Sequence, residues 1–241
     1  MPAAHLTSNG LLRFVGALFL SVSLAACVSG PSAVPNGVSG SSGPPAPDLS
    51  SAAAPGTSGI PASALLQPSD VRGAKPEPME DGDRGHLRPL RPCGDNEAYP
   101  SDDSRTAAVA MSYYVEPDAA GTSPAVLVEF VGRHARGGAA DQFAEIKEAL
   151  RRCPGSLGEN KRRWTVLATD VAGDESVLVR IDERFSYGDE APATVSDYAA
   201  VARTGDMIVV VTDTGWENID SSEKLVRDLI GKAVRRAGAT S

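Results

Sequence analysis

Between residues 28 and 59 the chain carries eight Ser, six Gly and six Pro in thirty-two positions, with Asp48 as the lone charge. A stretch with no hydrophobic periodicity cannot bury enough apolar surface to offset the entropy of ordering it. Whatever folds must therefore lie outside this stretch, and residues 60–241 alone are long enough to make a domain. Residues 27–59 read as a disordered tether, with an r.m.s. reach on the order of 30 Å.

The part before the tether reads as a sorting signal. Residues 1–26 contain no Asp, Glu or Lys, and Arg13 precedes the apolar run Phe14–Leu24. That run is too short to span a bilayer, which takes about 20 residues, and it suits the apolar core of a secretory leader. Leu24-Ala25-Ala26-Cys27 follows and resembles the lipobox of bacterial lipoproteins. The resemblance implies cleavage before Cys27 and a diacylglycerol with palmitate-type chains on its thiol. Stable anchoring needs two acyl chains or more, each buried CH₂ contributing about 0.8 kcal/mol. The expected location is the extracytoplasmic face of the cell membrane, held through the lipid on Cys27. An ordinary secreted protein with an incidental Cys27 is the other reading of the same residues. Against 23 Lys+Arg stand 31 Asp+Glu, a formal net charge of −8. Such a balance argues against a generic nucleic-acid binder, which needs a basic surface to neutralise phosphates.

From Ile60 onward the pattern predicts an α+β fold. Ala62–Leu66 suits one short helical turn stopped by Pro68, and a Pro-rich irregular stretch follows to about residue 103. Thr106–Val115 and Ala125–Val131 read as an antiparallel hairpin, the second strand alternating as in a sheet with one deeply buried face. Gly137-Gly138 opens a helix whose Phe143, Ile146 and Leu150 share a face, and Pro154-Gly155 stops it. Extended runs follow at Trp164–Thr169, Ser176–Glu183, Tyr198–Arg203 and Met207–Thr212, the last being apolar enough to lie centrally. An amphipathic helix closes the chain, with Asp220 and Glu223 as its expected capping box. The predicted architecture is an antiparallel β-sheet with two helices packed on one face, preceded by the disordered tether.

With Cys27 lipidated, Cys93 and Cys153 remain, and an exported pair reads as a disulfide that staples the irregular stretch to the end of the first helix. Chain-entropy arguments give such a loop roughly 4 kcal/mol. A free redox pair is the alternative, without Cys-x-x-Cys spacing in its favour.

Motifs for catalysis are sparse. His86 and His134 sit among Arg, Gly, Pro and Ala and read as exposed, solvated side chains. Gly155-Ser156-Leu157-Gly158 lacks the spacing of a nucleophile elbow and reads as part of a helix-stop turn. Glu80-Asp81-Gly82-Asp83 looks like half of a calcium loop, but Pro92 falls where a bidentate Glu is needed. The acidic pairs Asp102-Asp103 and Asp189-Glu190 read as solvated surface, although paired carboxylates for glycan hydrolysis stay open. Arg151, Arg152, Lys161, Arg162 and Arg163 form the local basic cluster. Two roles fit it, reception of an anionic wall polymer or plain balance of nearby acids. Trp164 reads as core, whereas Trp216, just past the central strand, could line a cleft or hold the last helix in place.

Several of these features together resemble the PknH-like extracellular sensor domain family of actinobacteria. They are Leu65-Leu66-Gln67-Pro68-Ser69-Asp70-Val71, Cys93, the helix running into Cys153, the Gly205-Asp206 turn and the closing helix. The resemblance spans residues 61–238 and implies an antiparallel sheet with two helices and a solvent-exposed cleft. Kinase members of that family carry two disulfides where this chain can form one. The expectation is a non-enzymatic, sensor-like binding module without a cofactor or metal, taking a small molecule or cell-envelope component. Trp216, Arg162 and Arg163 are its candidate ligand contacts. A lipid or glycolipid carrier, which requires an apolar cavity of several hundred Å³, and a wall hydrolase are the other function classes.

Overall fold

The structure, a computed structural model, describes residues 59–117, 123–158, 161–186, 191–216 and 221–240. The leader, Cys27, the tether, Asp189-Glu190 and Asp220 lie outside the described residues.

Eight strands form one antiparallel sheet. They are β1 (Glu77–Pro78), β2 (Arg105–Val115), β3 (Ala125–His134), β4 (Gly155–Gly158), β5 (Lys161–Thr169), β6 (Glu175–Phe185), β7 (Ala193–Thr204) and β8 (Met207–Asp213). Their order across the sheet is β1-β2-β3-β8-β7-β6-β5-β4. Strands β2 and β3 form the expected hairpin, Val109 opposite Val131 and Tyr113 opposite Leu127. Helix α1 (Gly138–Arg152) then carries the chain to the far edge, and the meander β4 to β8 brings it back beside β3. Helix α2 (Glu223–Gly238) ends the fold. Its N-cap is Ser222, whose Oγ accepts from the Leu225 N–H at 3.2 Å.

The α+β class and the antiparallel sheet are as expected, but the two helices do not share a face. Helix α1 buries Phe143, Ile146 and Leu150 against Phe130, Val177, Val179, Ile208 and Val210. Helix α2 buries Val226, Leu229, Ile230 and Ala233 against Val109, Leu127, Met207, Val209 and Val211. Residues of opposite parity on β8 thus meet different helices, which lie on opposite sides of the sheet. The cause is the composition of the central strands. All seven residues of β8 are buried, and Leu127 to Val131 of β3 are buried without alternation. Strands that apolar need cover on both faces.

A second correction concerns Gly155–Gly158, which is an edge strand rather than part of a turn, Gly155 pairing with Arg163. Gly155 has φ +70°, and a Cβ there would lie 1.9 Å from the Arg162 carbonyl oxygen. Only glycine can bring the chain out of α1 this close to β5. Strand β4 contributes four residues and β1 two, so both sheet edges are short, which limits edge-to-edge pairing.

Residues 60–71 close the α2 side, with Ile60, Leu65, Leu66 and Val71 in its core. Glu129 holds them there. Only 1 % exposed, its carboxylate accepts from the Leu66 N–H at 3.1 and 3.0 Å and from the Tyr113 hydroxyl at 2.5 Å. Asp70 ties the same segment to α2 by accepting from Arg236 Nε at 2.5 Å. Burial lifts the Glu129 carboxyl from 4.5 to about 7, although the Tyr113 and Leu66 hydrogen bonds act the other way. Between those two values the folded chain binds more protons at this site than the unfolded chain. This contribution therefore makes stability fall as pH rises from 4.5 through 7. Glu129→Gln, which mimics the protonated acid, is expected to flatten that part of the profile. Between pH 4.5 and 8 the wild type should lose an amount on the order of 3 kcal/mol more than the variant does in urea unfolding. Parallel profiles for the two proteins would refute the role given to Glu129.

Cys93 and Cys153 are joined, with a Cα–Cα distance of 5.1 Å, across a sequence separation of 60. The bond fixes the irregular stretch beside the end of α1. From that stretch Leu87, Leu90 and Tyr99 reach the α1-side core, a small apolar contribution for so many residues. Replacing both cysteines by Ala is expected to remove roughly 2–4 kcal/mol of stability. Amide exchange at Leu87 and Arg91 should accelerate by more than the global loss accounts for. An unchanged unfolding midpoint would contradict this account.

Candidate functional site

Helix α1 does not cover its face of the sheet alone. Beyond it, residues 79–95 cross over β2 and β3, beginning with Met79, whose N–H donates to the Ala110 carbonyl at 3.1 Å. This stretch is rich in turns and poor in apolar side chains, so it cannot seat flush on the strands. A cleft of about 360 Å³ remains between them. Its floor is Ala108 and Ala110 of β2 with Phe130 of β3, and Met79, Gly82 and Gly85 contribute to the wall. Around this apolar floor stand Arg88, Arg91 and Arg105, with Asp81 and Asp95 also in the lining.

Two of the three guanidiniums, those of Arg91 and Arg105, are held by a short 3-10 turn, Pro100–Ser104, that precedes β2. Asp102 on that turn is the hub. Its Oδ2 accepts from Arg91 at 2.9 Å and from the Tyr99 N–H at 2.9 Å, and its Oδ1 accepts from Gln142 Nε2 at 2.8 Å and from Arg105. One carboxylate thus faces two guanidiniums. Arg91 also stacks over Tyr99, 5.0 Å from the ring centre, and Arg105 over Phe130 at 5.7 Å. Arg88 donates to the Glu80 carbonyl at 2.9 Å. The Nε atoms of both Arg88 and Arg105 are buried and bond to nothing among the described residues. Burial holds all three arginines below their ordinary pKa. For Arg105 the neighbouring Arg91 adds repulsion, while Asp83 and Asp81 oppose the effect at Arg88. Asp102, expected as solvated surface, is therefore a structural anchor of this cleft.

The residues singled out from the sequence fall elsewhere. Arg162 lines a neighbouring hollow of about 290 Å³ with Cys93, Asp95 and Trp164, paired to Asp95 at 3.1 Å and Glu183 at 3.3 Å. Arg163 projects from the opposite face of β5 and pairs with Asp182 at 2.8 Å. Arg151 pairs with Glu148, and Arg152 with Glu97 at 2.5 Å. Four of the five members of the basic cluster thus pair with acidic side chains. Trp164 is core, as expected. Trp216 packs edge-on against Tyr114, ring centres 5.0 Å apart, and is not part of the cleft lining. Tyr114 and Arg162 lie on strands five places apart in the sheet, so Trp216, Arg162 and Arg163 do not form one site.

His86 and His134 are both buried, contrary to expectation. His86 is 7 % exposed, edge-on to Trp164, and burial with the nearby Arg162 lowers its pKa to about 4. His134 is 4 % exposed, and its Nδ1 lies 3.0 Å from Ser104 Oγ. This Ser–His pair is the arrangement closest to catalytic chemistry. The Ser104 hydroxyl already donates to the Ser101 carbonyl at 2.7 Å, and His134 Nε2 is buried without a hydrogen-bond partner among the described residues. The carboxylate that would orient a general base is therefore not bonded to it. Burial and Arg105 hold the His134 pKa below its ordinary value, so at neutral pH the ring is an uncharged packing element. A Cβ on Gly138 would strike Ser104 Oγ at 2.1 Å, so α1 begins directly against this pair. Among the described residues no group of three or more His, Cys, Asp or Glu could hold a metal ion, and no helix is long and apolar enough to cross a membrane.

No model of a protein family matches the chain, and no curated protein matches it. Among solved structures, the chain is similar to the extracellular domain of PknH from Mycobacterium tuberculosis. The two are 14 % identical, with 72 % of this chain and 94 % of that chain covered and a TM-score of 0.44.

Proposed function

We propose that the protein is a lipid-anchored, extracytoplasmic binding module. Cys27 carries the lipid, residues 28–59 provide the spacer, and the cleft between residues 79–95 and the sheet receives a small molecule or envelope component. The observation that carries the binding role is this cleft, a concave site with an apolar floor and a few convergent polar groups. One of its walls is a poorly packed stretch stapled by a disulfide, which lets an open site persist without collapsing onto the strands.

The role is one of binding rather than turnover. Ser104 and His134 serve to seat α1, and the arginines near the cleft are engaged with Asp102 and backbone carbonyls. A carrier of acyl chains would need an enclosed apolar cavity, whereas five charged residues line this one. The leader and the Leu24-Ala25-Ala26-Cys27 sequence support the anchor.

Two measurements test the proposal. In cells fed an alkyne-bearing fatty acid, the wild type should take up label and fractionate with membranes, while Cys27→Ser should be unlabelled and released. Cys27→Ser remaining in the membrane fraction would overturn the anchor. Native mass spectrometry of the protein after exposure to an envelope extract should show a discrete adduct that denaturation removes. Unadducted protein across extract fractions would overturn the binding role.

A further inference from the structure

The lining of the cleft specifies more than its shape. Two buried Nε–H groups, on Arg88 and Arg105, remain without partners among the described residues, while Nη2 of each guanidinium is bonded. A buried donor left unmade costs more than a hydrogen bond typically contributes, and two such donors stand in the lining of one cleft. The local charge points the same way. Asp102 is shared by Arg91 and Arg105, and Arg88 makes no ion pair within 4.0 Å among the described residues. Of the two acids in the lining, Asp95 pairs with Arg162 and Asp81 lies exposed at the rim. A guanidinium presents its N–H groups in a planar fork that suits carboxylate and phosphate oxygens. Beside this cationic wall the floor of Ala108, Ala110 and Phe130 is apolar.

We infer that the cleft selects its ligand by an anionic group, a carboxylate or a phosphate, received by Arg88 and Arg105, with an apolar portion of the ligand lying on Ala108, Ala110 and Phe130. This inference rests on the cleft being the binding site of the module. It adds the chemical class: an anion joined to a compact apolar body. Arg91 is a positioning residue, since its bonds to Asp102 and to the Glu97 carbonyl orient the hub that holds Arg105.

The test uses the chain from residue 27 onward with its disulfide formed, and three probes. Phenyl phosphate carries both parts of the ligand, phenol only the apolar part and inorganic phosphate only the anion. Nitrogen-15 spectra of the arginine side chains report the Nε–H groups directly. Phenyl phosphate is expected to shift the Arg88 and Arg105 signals and to bind more tightly than either part alone, with affinity falling as salt rises. Arg88→Gln should weaken phenyl phosphate about tenfold, the scale of one charge-assisted hydrogen bond, and leave phenol unchanged. Arg88→Lys keeps the charge without the fork and should fall between. Both changes replace a side chain outside the two cores, so the fold is expected to persist.

Phenol binding as tightly as phenyl phosphate, or unmoved Nε–H signals together with an unaffected Arg88→Gln, would overturn the inference. The same samples exposed to an envelope extract separate it from the reading beneath it. An adduct that survives Arg88→Gln leaves the module standing and removes the anionic selectivity. Phenyl phosphate binding without any extract adduct does the reverse. Passing the extract through a size filter distinguishes a free small anion from an anionic group borne on a wall polymer.

Discussion

The constraint on which the structure depends is that its central strands are apolar on both faces. Val209 and Val211 need one cover and Ile208 and Val210 another, while β3 makes the same demand beside them. Fully burying an aliphatic side chain is worth about 1.5–3 kcal/mol, so leaving either face open would cost more than a marginally stable domain can lose. Two helices on one side would satisfy half of this. The chain instead places α1 and α2 on opposite faces, and the meander from β4 to β8 follows from that choice. After α1 has crossed one face, four hairpin turns return the chain to β3, leaving α2 to seal the other.

The two covers are unequal, and the difference creates the candidate site. The α2 side is completed by residues 60–71, whose Ile60, Leu65, Leu66 and Val71 are apolar and whose backbone is pinned by Glu129. The α1 side is completed by residues 79–95, which bring Leu87 and Leu90 to its core with Cys93 partly buried against it. Polar chain laid over a sheet cannot close on it tightly, because its backbone and charged side chains need partners of their own. Asp102 and the disulfide supply the attachment that apolar packing does not, and the volume left beneath is the cleft. The site is a consequence of poor cover held firmly in place.

Much of this was legible in the sequence. Six strands, both helices, the hairpin, the disulfide and the central position of Met207–Val211 all follow from periodicity, turn residues and cysteine count. The side on which each helix packs did not follow from the alternation read into Ala125–Val131. The better signal was already present, since Met207 to Val211 has no polar residue at either parity. The candidate site was less legible. Trp216, Arg162 and Arg163 stood out because aromatics are few and the charges are clustered, yet neither property reports burial. Arg88 and Arg105 carry no local motif. They meet because residue 88 lies on the covering stretch and residue 105 opens β2, a juxtaposition that only the folded chain produces. His86 and His134 misled for the same reason, as polar neighbours in sequence say nothing of Trp164 or Ser104 in space.

The arrangement also fixes where the chain enters relative to where the cleft opens. Ile60 and Leu66 belong to the α2-side core, and Ala110 and Phe130 line a cleft on the α1 side. Ile60 thus lies on the face of the sheet away from the cleft. The two faces also differ in chemistry. Glu129, whose carboxyl burial lifts to about 7, lies on one face and the arginine wall of the cleft on the other, with the two-sided core between them. Two strands join the faces: β3 carries both Glu129 and Phe130, and β2 carries both Tyr113, which donates to the Leu66 carbonyl at 3.1 Å, and the cleft's Ala108 and Ala110. Adjacent residues of each strand point to opposite faces, so a movement of residues 60–71 is felt at the cleft through β2 and β3 together.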